Sequence, residues 1–198
     1  MIRPRLYMQK LLLCLLFVFP LVLNAQQMEV DRVKTQLFQQ KDSISYVNTL
    51  NRLAVLYQAC QLDSCGYYAS LARDMAVRIN YPKGKARALR NLGSYYAFRP
   101  HRYLSYLFYN DALEESRLAG DSVNVASVLM NIGIYHQYTG KHAAARHYIN
   151  RALLLTWELK EDSLRSLVLA NYYMVNYADT AASRFASMAL QQSEALAT

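Results

Sequence analysis

The four histidines are the side chains of this sequence best suited to metal binding or proton transfer, and their spacing favours neither role. They are His101, His136, His142 and His147, and no two of them are four residues apart. Two imidazoles on one face of a helix need that spacing to bind one metal ion. His142 and His147 are five residues apart. We therefore expect histidines that lie on the surface or pack between helices, and no metal site.

Motifs of the common catalytic classes are missing from the sequence. It contains no Gly-rich phosphate loop, no Gly-x-Ser-x-Gly turn, no His-Glu-x-x-His motif and no Cys-x-x-Cys pair. Two acidic pairs, Glu114-Glu115 and Glu161-Asp162, fall near the ends of predicted helices, where solvated helix faces or caps explain them. General acid–base catalysis would need one of these carboxyl groups in a cleft with a shifted pKa. The sequence predicts a protein that is not an enzyme and uses no cofactor.

Two cysteines, Cys60 and Cys65, flank a predicted turn between two helices. An oxidising compartment would allow a disulfide that staples this hairpin, and the short loop would limit the gain in stability to about 2 kcal/mol. The alternative is two free, partly buried thiols. The sequence leaves both possibilities open.

The first 25 residues have the pattern of a secretory signal peptide. Arg3, Arg5 and Lys10 precede an apolar run from residue 11 to residue 23, and a small residue, Ala25, follows. The run is shorter than the roughly 20 residues that span a bilayer as a helix. We expect cleavage after Ala25 and an exported, periplasmic protein; the alternative is a membrane anchor formed by the uncleaved segment.

The remaining basic residues give the chain a mild positive charge. The formal net charge of +8 falls to +5 without residues 1–25, because that segment holds three basic residues and no acidic one. Lys and Arg are spread along the rest of the sequence rather than gathered in one block. This spread is typical of a solvated surface, so we expect no nucleic-acid partner, and contact with a membrane only through an uncleaved signal segment.

A repeat with a period of 40 residues organises the chain. The segment Leu-Arg-Asn-Leu-Gly-Ser-Tyr at 89–95 aligns with Leu-Met-Asn-Ile-Gly-Ile-Tyr at 129–135, and Asn171 falls 40 residues after Asn131. Such a period indicates stacked units that cannot bury their apolar faces alone. Four units follow, the outer two less regular.

Within each unit the apolar residues recur at helical spacing, so each unit is predicted to be a helical hairpin. Asp-Ser pairs at 42, 121 and 162 are predicted to cap helix starts, and Pro82, Pro100 and Gly140 to separate helices. The predicted organisation is a signal peptide (1–25), a leader helix or linker (26–42, with the helix near 28–40) and one repeat domain (43–198). Its units are 43–79, 84–118, 122–160 and 163–197, with helix pairs at about 43–59 and 64–79, 84–98 and 102–118, 122–139 and 142–160, and 163–177 and 180–196.

These units resemble the tetratricopeptide repeat (TPR), whose pattern has Leu and Gly in the first helix and small residues where the two helices cross. Gly93 and Gly133 match the close-approach glycine, and Ala112, Ala145 and Ala152 match the small residues. The resemblance implies an all-α fold, a right-handed α-solenoid of about four helix-turn-helix hairpins. It covers about residues 43–197.

The sequence departs from the TPR pattern in several places. Pro100 replaces the turn glycine of the second unit, Ser105 replaces a small alanine, and His136 replaces an aromatic residue. The fourth unit is about three residues short and has Tyr173 where glycine is expected.

A narrower likeness lies in residues 76–86 and the Asn-Leu-Gly segment that follows them. It resembles the exported TPR sensor regions of Bacteroidetes-type histidine kinases and regulators, which implies a sensing or scaffolding part of a signalling system. An alternative is the truncated N-terminal portion of a membrane-bound sensor kinase or helix-turn-helix regulator.

In the TPR fold the first helix of each pair lines a groove, so the resemblance predicts a peptide-binding site there. Arg side chains bind carboxylates in a bidentate fork, and Asn side chains both donate to and accept from a peptide backbone. An alternative is that the asparagines serve only contacts between repeats. The predicted lining comprises Arg52, Arg87, Arg90, Asn91, Ser94, Met130, Asn131, Ile134, Gln137, Tyr138 and Asn171, with Asn51, Val55 and Met174 beside them.

The predicted function is therefore binding of a protein or peptide partner, with self-association as a further possibility. The sequence contains 17 tyrosines. Many of them, such as Tyr95, Tyr109 and Tyr135, fall at helical packing positions, so we expect core packing rather than stacking on sugars or bases.

Overall fold

The computed structural model describes residues 26–176, and helices account for nearly all of them. Helix α1 covers residues 26–39. It is followed by α2 (Ser43–Tyr57), α3 (Leu62–Arg78), α4 (Pro82–Ala97), α5 (Tyr103–Leu118), α6 (Ser122–Tyr138), α7 (His142–Leu159) and α8 (Asp162–Asn176). No strand occurs between residues 26 and 176. The predicted all-α class is confirmed.

Local side-chain chemistry sets the helix limits. The Asp42 carboxylate accepts hydrogen bonds from the backbone N–H groups of Ile44 and Ser45, and Asp121 accepts one from Asn124. Both are the predicted N-caps. Pro82 follows α3, as predicted, and is the first residue of α4, where its missing N–H costs nothing.

The turns after second helices use left-handed backbone conformations. Gly120 lies at φ +63°, and Asn80 and Lys160 occupy the same region at φ 51° and 56°. Gly140, in the turn between α6 and α7, lies at φ +74°. Glycine adopts this conformation without a steric penalty, so these short turns reverse the chain between helices.

The helices stack as successive hairpins. Each helix from α2 to α8 packs on the next one along the chain, and α2, α4, α6 and α8 also contact each other in that order. The first helices of the hairpins thus form one face of the stack and the second helices form the other. The described part of the chain is an α-solenoid, as predicted.

Helix α1 is part of the core rather than a linker. Its Val30 and Val33 are 1% and 0% exposed and belong to an apolar cluster with Leu50 and Leu53 of α2. The amide nitrogen of Gln26 also donates to the carbonyl oxygen of Leu56 at 3.2 Å. The helix therefore covers the outer face of the first hairpin, where a stacked repeat would otherwise be exposed.

Close approach of paired helices depends on two glycines at equivalent positions. A Cβ atom on Gly93 would lie 2.4 Å from the ring of Tyr109 in α5, and one on Gly133 would lie 2.7 Å from Ile149 in α7. The expectation that these glycines let the paired helix approach is confirmed.

His136 stands where the tetratricopeptide pattern has an aromatic residue, and it packs like one. Its ring stacks on Tyr148 with centroids 5.4 Å apart, and Tyr106 and Tyr135 contact it edge-on. Burial lowers the pKa of His136, and the charge of Lys141 lowers it further. A neutral, buried imidazole is the packing role that the sequence predicted for it.

Two predicted segments lie outside the described residues. They are the signal peptide, residues 1–25, and the last helix, about residues 180–196. Within residues 26–176, no helix is both long enough and apolar enough to cross a membrane.

Replacing Gly93 with Ala is expected to lower the free energy of unfolding by about 1–3 kcal/mol, because the new Cβ would overlap the Tyr109 ring. In an open helix the same change would raise stability by up to about 1 kcal/mol. Urea unfolding followed by circular dichroism measures the difference.

The matched control is the same change in a Tyr109→Leu background, which removes the ring. There the cost of Gly93→Ala should shrink, and the double-mutant cycle gives the coupling between the two positions. An unchanged or higher stability of Gly93→Ala in the natural background would contradict the close approach.

Candidate binding groove

The surface formed by α2, α4 and α6, named the groove face below, carries two neighbouring depressions. The first, the arginine depression, has a volume of about 290 Å³ and opens to solvent. The second, the aromatic pocket, has a volume of about 250 Å³. Each is large enough for a side chain of a bound peptide, but neither encloses a small molecule.

Three arginines and three asparagines give the arginine depression its chemistry. Its lining comprises Asn48, Asn51, Arg52, Val55, Arg87, Arg90, Val123 and Asn124. All three arginines were among the predicted site residues, and the structure brings them together from α2 and α4. Helical spacing explains this, because Arg87 and Arg90 lie one turn apart on α4.

Two of these arginines are already paired with carboxylates. Arg52 forms an ion pair with Glu29 of α1. The Nε of Arg87 donates to Asp121 at 2.9 Å, and that carboxylate is 6% exposed. Asp121 also caps α6, so Arg87 is held in place by the start of the neighbouring first helix.

Arg90 makes no ion pair with any residue between 26 and 176. Its only side-chain hydrogen bond there is a long one, 3.4 Å, to the amide oxygen of Asn91. Burial lowers the pKa of the half-buried Arg90 guanidinium, and the charge of Arg87 lowers it further; the Asp121 carboxylate, which is paired with Arg87, offsets this only in part. The guanidinium nevertheless stays charged at neutral pH, so an anion placed here would offset both the desolvation and the repulsion.

The buried asparagines of this face join helices to each other. The Nδ2 of Asn91 donates to the backbone oxygen of Asn51 at 3.2 Å and to its Oδ1 at 3.1 Å. The Nδ2 of Asn51 in turn donates to the backbone oxygen of Gly84 at 3.1 Å. Asn171 of α8 donates to the sulfur of Met130 at 3.6 Å. These contacts agree with the alternative role in the sequence analysis, contacts between repeats.

The aromatic pocket lies beside the C-terminal ends of α4 and α6. Phe98 and Tyr138, which are 66% and 74% exposed, stand at its rim. The buried Tyr109 lies beneath, and its hydroxyl donates to Ser94 at 3.3 Å. The lining comprises Gln58, Ala97, Phe98, Arg102, Tyr109, Asn131, Ile134, Tyr135, Tyr138 and Thr139.

The two depressions are adjacent along α4. Arg90 lies one turn before Ser94, and Ser94 contacts the Tyr109 hydroxyl. Burial raises the pKa of Tyr109 to about 12, so the phenol is neutral beside the guanidinium. The groove face thus offers a cationic depression next to an apolar pocket.

The remaining predicted residues divide between the rim and the interior. Asn131, Ile134 and Tyr138 line the aromatic pocket. Asn91, Ser94, Met130 and Asn171 are buried below the surface. The amide oxygen of Gln137 lies 3.0 Å from His142 Nδ1, across the turn between α6 and α7.

Sequence reasoning missed several lining residues. Phe98 and Arg102 lie in the turn between α4 and α5, and Tyr109 comes from a second helix that reaches the groove face only because Gly93 has no side chain. Asn124 of the arginine depression lies 40 residues after Gly84, which was not a predicted lining residue, so the repeat gave no signal for Asn124.

The two cysteines are free thiols, so the structure lacks the disulfide that the sequence allowed. The exposed Cys60 lies 3.6 Å from the backbone oxygen of Leu56 in its own turn. The Cys65 thiol is buried and lies 3.9 Å from the backbone oxygen of Asn91 in α4. The side chains thus have different partners because α3 turns Cys65 toward α4.

No cluster of three or more His, Cys, Asp or Glu side chains suited to a metal ion occurs within residues 26–176.

Comparisons with known proteins give a fold and no family. No family model and no curated protein matches the sequence. The crystal structure of a Rap protein complexed with Competence and Sporulation Factor is similar over 90% of this chain and 52% of that chain, with a TM-score of 0.76 and 16% identity. The structure of BtubC (BKLC) from P. vanneervenii is similar over 86% of this chain and 70% of that chain, with a TM-score of 0.59 and 21% identity.

These identities show a shared helical-repeat fold and nothing finer. The neighbours support a helical solenoid, which agrees with the predicted fold class. This chain spans about half the length of the Rap protein.

Thiol labelling tests the arrangement of the cysteines. Residues 26–198, which exclude Cys14, are used for this test. The native, unreduced protein is expected to react with a disulfide-exchange reagent at Cys60 only, because burial raises the pKa of Cys65 to about 11 and leaves almost no thiolate at pH 8. Denatured, unreduced protein should release two equivalents. Cys60→Ser should abolish the native reaction and Cys65→Ser should preserve it; no free thiol after denaturation would mean that the two residues are paired.

Proposed function

We propose that this protein is a non-catalytic binding module that holds an extended peptide segment of a partner protein on its groove face. The observation that carries the proposal is the half-buried Arg90, which lacks a carboxylate partner among the described residues and lies next to the aromatic pocket. The peptide it fits has an acidic group beside a large apolar side chain.

The acidic group follows from the charges in the arginine depression. Arg87 is paired with Asp121, and Arg52 is paired with Glu29, which it shares with Arg32. Arg90 forms no ion pair among the described residues and carries a partly desolvated charge. A peptide carboxylate would form a charge-assisted hydrogen bond there, and such bonds contribute about 1.5–3 kcal/mol. The open shape of the depression suits a chain that lies across it.

The apolar side chain follows from the aromatic pocket. Ile134 and the exposed rings of Phe98 and Tyr138 line it, and the neutral Tyr109 lies beneath them. Burying an aromatic or large aliphatic residue among these groups contributes about 1.5–3 kcal/mol. Exposed aromatic residues around a pocket are typical anchors of binding energy at protein interfaces.

The buried asparagines give this site a rigid base. Because Asn91 and Asn51 are bonded to each other, the arginines of α2 and α4 keep a fixed spacing. A peptide then binds without the cost of ordering the groove.

A solved relative supports the binding role. The Rap structure that this fold resembles is of a complex with Competence and Sporulation Factor. That fact belongs to the Rap protein, and it supports a module that takes a partner in the same fold.

The location and the system in which the module acts are part of the proposal. The apolar run preceded by basic residues in segment 1–25 supports export to the periplasm. The resemblance of residues 76–86 to exported TPR sensor regions supports a sensing or scaffolding role in signalling.

Selection from a displayed library of random 12-residue peptides tests the ligand chemistry. Residues 26–198 are expected to enrich peptides that combine Asp or Glu with Phe, Tyr, Trp or Leu. For an enriched peptide, Arg90→Ala should weaken binding about tenfold to one-hundredfold by calorimetry, which corresponds to the loss of one charge-assisted hydrogen bond. Asn131→Ala, at the aromatic pocket, should weaken it less.

The matched control is Arg117→Ala, an exposed arginine at the end of α5 and away from the groove face. Its affinity for the same peptide should equal that of the natural protein. Equal affinities of Arg90→Ala and Arg117→Ala, with unchanged circular dichroism, would rule out the arginine depression as the site.

A further inference from the structure

One edge of the solenoid gathers the turns inside the hairpins. It consists of residues 58–63, 98–103 and 138–146, which connect α2 to α3, α4 to α5 and α6 to α7 and include the first residues of the second helices. Because the first helices lie side by side and run the same way, these three segments lie at one end of the stack. We call this surface the turn edge.

The turn edge carries an excess of cations. It holds Arg99, Arg102, Lys141 and Arg146 and a single carboxylate, Asp63. Asp63 is paired with Arg99. The other three cations form no ion pair with any residue between 26 and 176, so the edge presents a net positive field to solvent.

The opposite edge, where each hairpin joins the next, has the reverse balance. Residues 78–83, 114–121 and 158–163 contain four Lys and Arg residues and six Asp and Glu residues. The basic residues are spread along the sequence. Folding nevertheless separates the charge into one basic and one mildly acidic edge.

Exposed aromatic side chains accompany the cations. Phe98, Tyr103 and Tyr138 lie on the turn edge and are 66%, 60% and 74% exposed. Aromatic rings beside Lys and Arg are typical of surfaces that lie at the level of lipid headgroups.

The N-terminal segment joins the described structure at this same edge. Gln26 bonds to Leu56, one residue before the end of α2, so the start of α1 lies beside the turn edge. The apolar run of residues 11–23 lies directly upstream.

We propose that the turn edge docks on a bilayer surface that contains anionic phospholipid, with Lys141, Arg146 and Arg102 facing the headgroups and Tyr103 in the interfacial layer. Charge complementarity, the exposed rings and the position of residue 26 all point to this partner. Docking there would leave the arginine depression of α2 and α4 open, whereas the rim of the aromatic pocket would face the bilayer. The turn edge shares Phe98, Arg102 and Tyr138 with the aromatic pocket. The residues changed in the test below, Lys141, Arg146 and Tyr103, line neither depression, so the two proposals are tested separately.

Vesicle sedimentation tests the proposal with residues 26–198, which retain the whole described core, at about 50 mM salt. Vesicles of phosphatidylcholine with 30% phosphatidylglycerol are expected to bind the protein, and pure phosphatidylcholine to bind it at least tenfold more weakly. Lys141→Glu with Arg146→Glu should lower the partition coefficient more than tenfold, since each cation near such a surface contributes about fivefold. Tyr103→Ser should lower it severalfold.

Matched controls lie on the opposite edge. Lys83→Glu with Arg117→Glu makes the same change in net charge, and Leu118→Ser removes an apolar side chain that is even more exposed than Tyr103. These variants should change the partition coefficient less than twofold. Absence of binding to the anionic vesicles, or equal effects of the two charge-reversal pairs, would overturn the proposal; in the second case net charge alone would explain the binding. If an acidic protein occupies the edge instead of a bilayer, the protein should not bind to the anionic vesicles.

Discussion

The structure depends on how closely the two helices of a hairpin approach each other. Where Gly93 faces Tyr109 and Gly133 faces Ile149, no room exists for a single Cβ atom. This contact lets apolar side chains of both helices enter one core, and it also brings Tyr109 of a second helix beneath the groove face. One constraint therefore supports both the packing of the repeats and the floor of the aromatic pocket.

Buried amide contacts add a second level of order between hairpins. The bond from Asn91 to Asn51 joins first helices that are 40 residues apart in sequence, and the ion pair of Arg87 with Asp121 joins the next two. A buried polar group without a partner is costly, so such pairs favour one register of stacking over others. That register places Arg52, Arg87 and Arg90 around one depression.

The period of 40 residues was enough to predict the helices and their pairing between residues 43 and 159, because both follow from local spacing. The glycines at the crossings were predicted from the resemblance to the tetratricopeptide repeat. The role of a polar residue in the groove was harder to predict. Asn91 and Arg90 are both polar and are neighbours in sequence. The Asn91 amide is nevertheless buried between helices, whereas Arg90 is a half-buried cation at the surface. Spacing alone could not predict which turns meet in space, and the places of Phe98, Arg102 and the basic turn edge depend on that. It also could not predict the partner of the Cys65 thiol, because that depends on the rotation of α3 toward α4.

Amide chemical-shift mapping tests the central claim, a peptide site on the face of the first helices, most directly. Uniformly ¹⁵N-labelled residues 26–198 would be titrated with a library-selected acidic–aromatic peptide. The account predicts that the largest shift changes fall within residues 87–98 and 123–138, with small changes in the outward face of α3, α5 and α7. Shift changes concentrated on those second helices would contradict it.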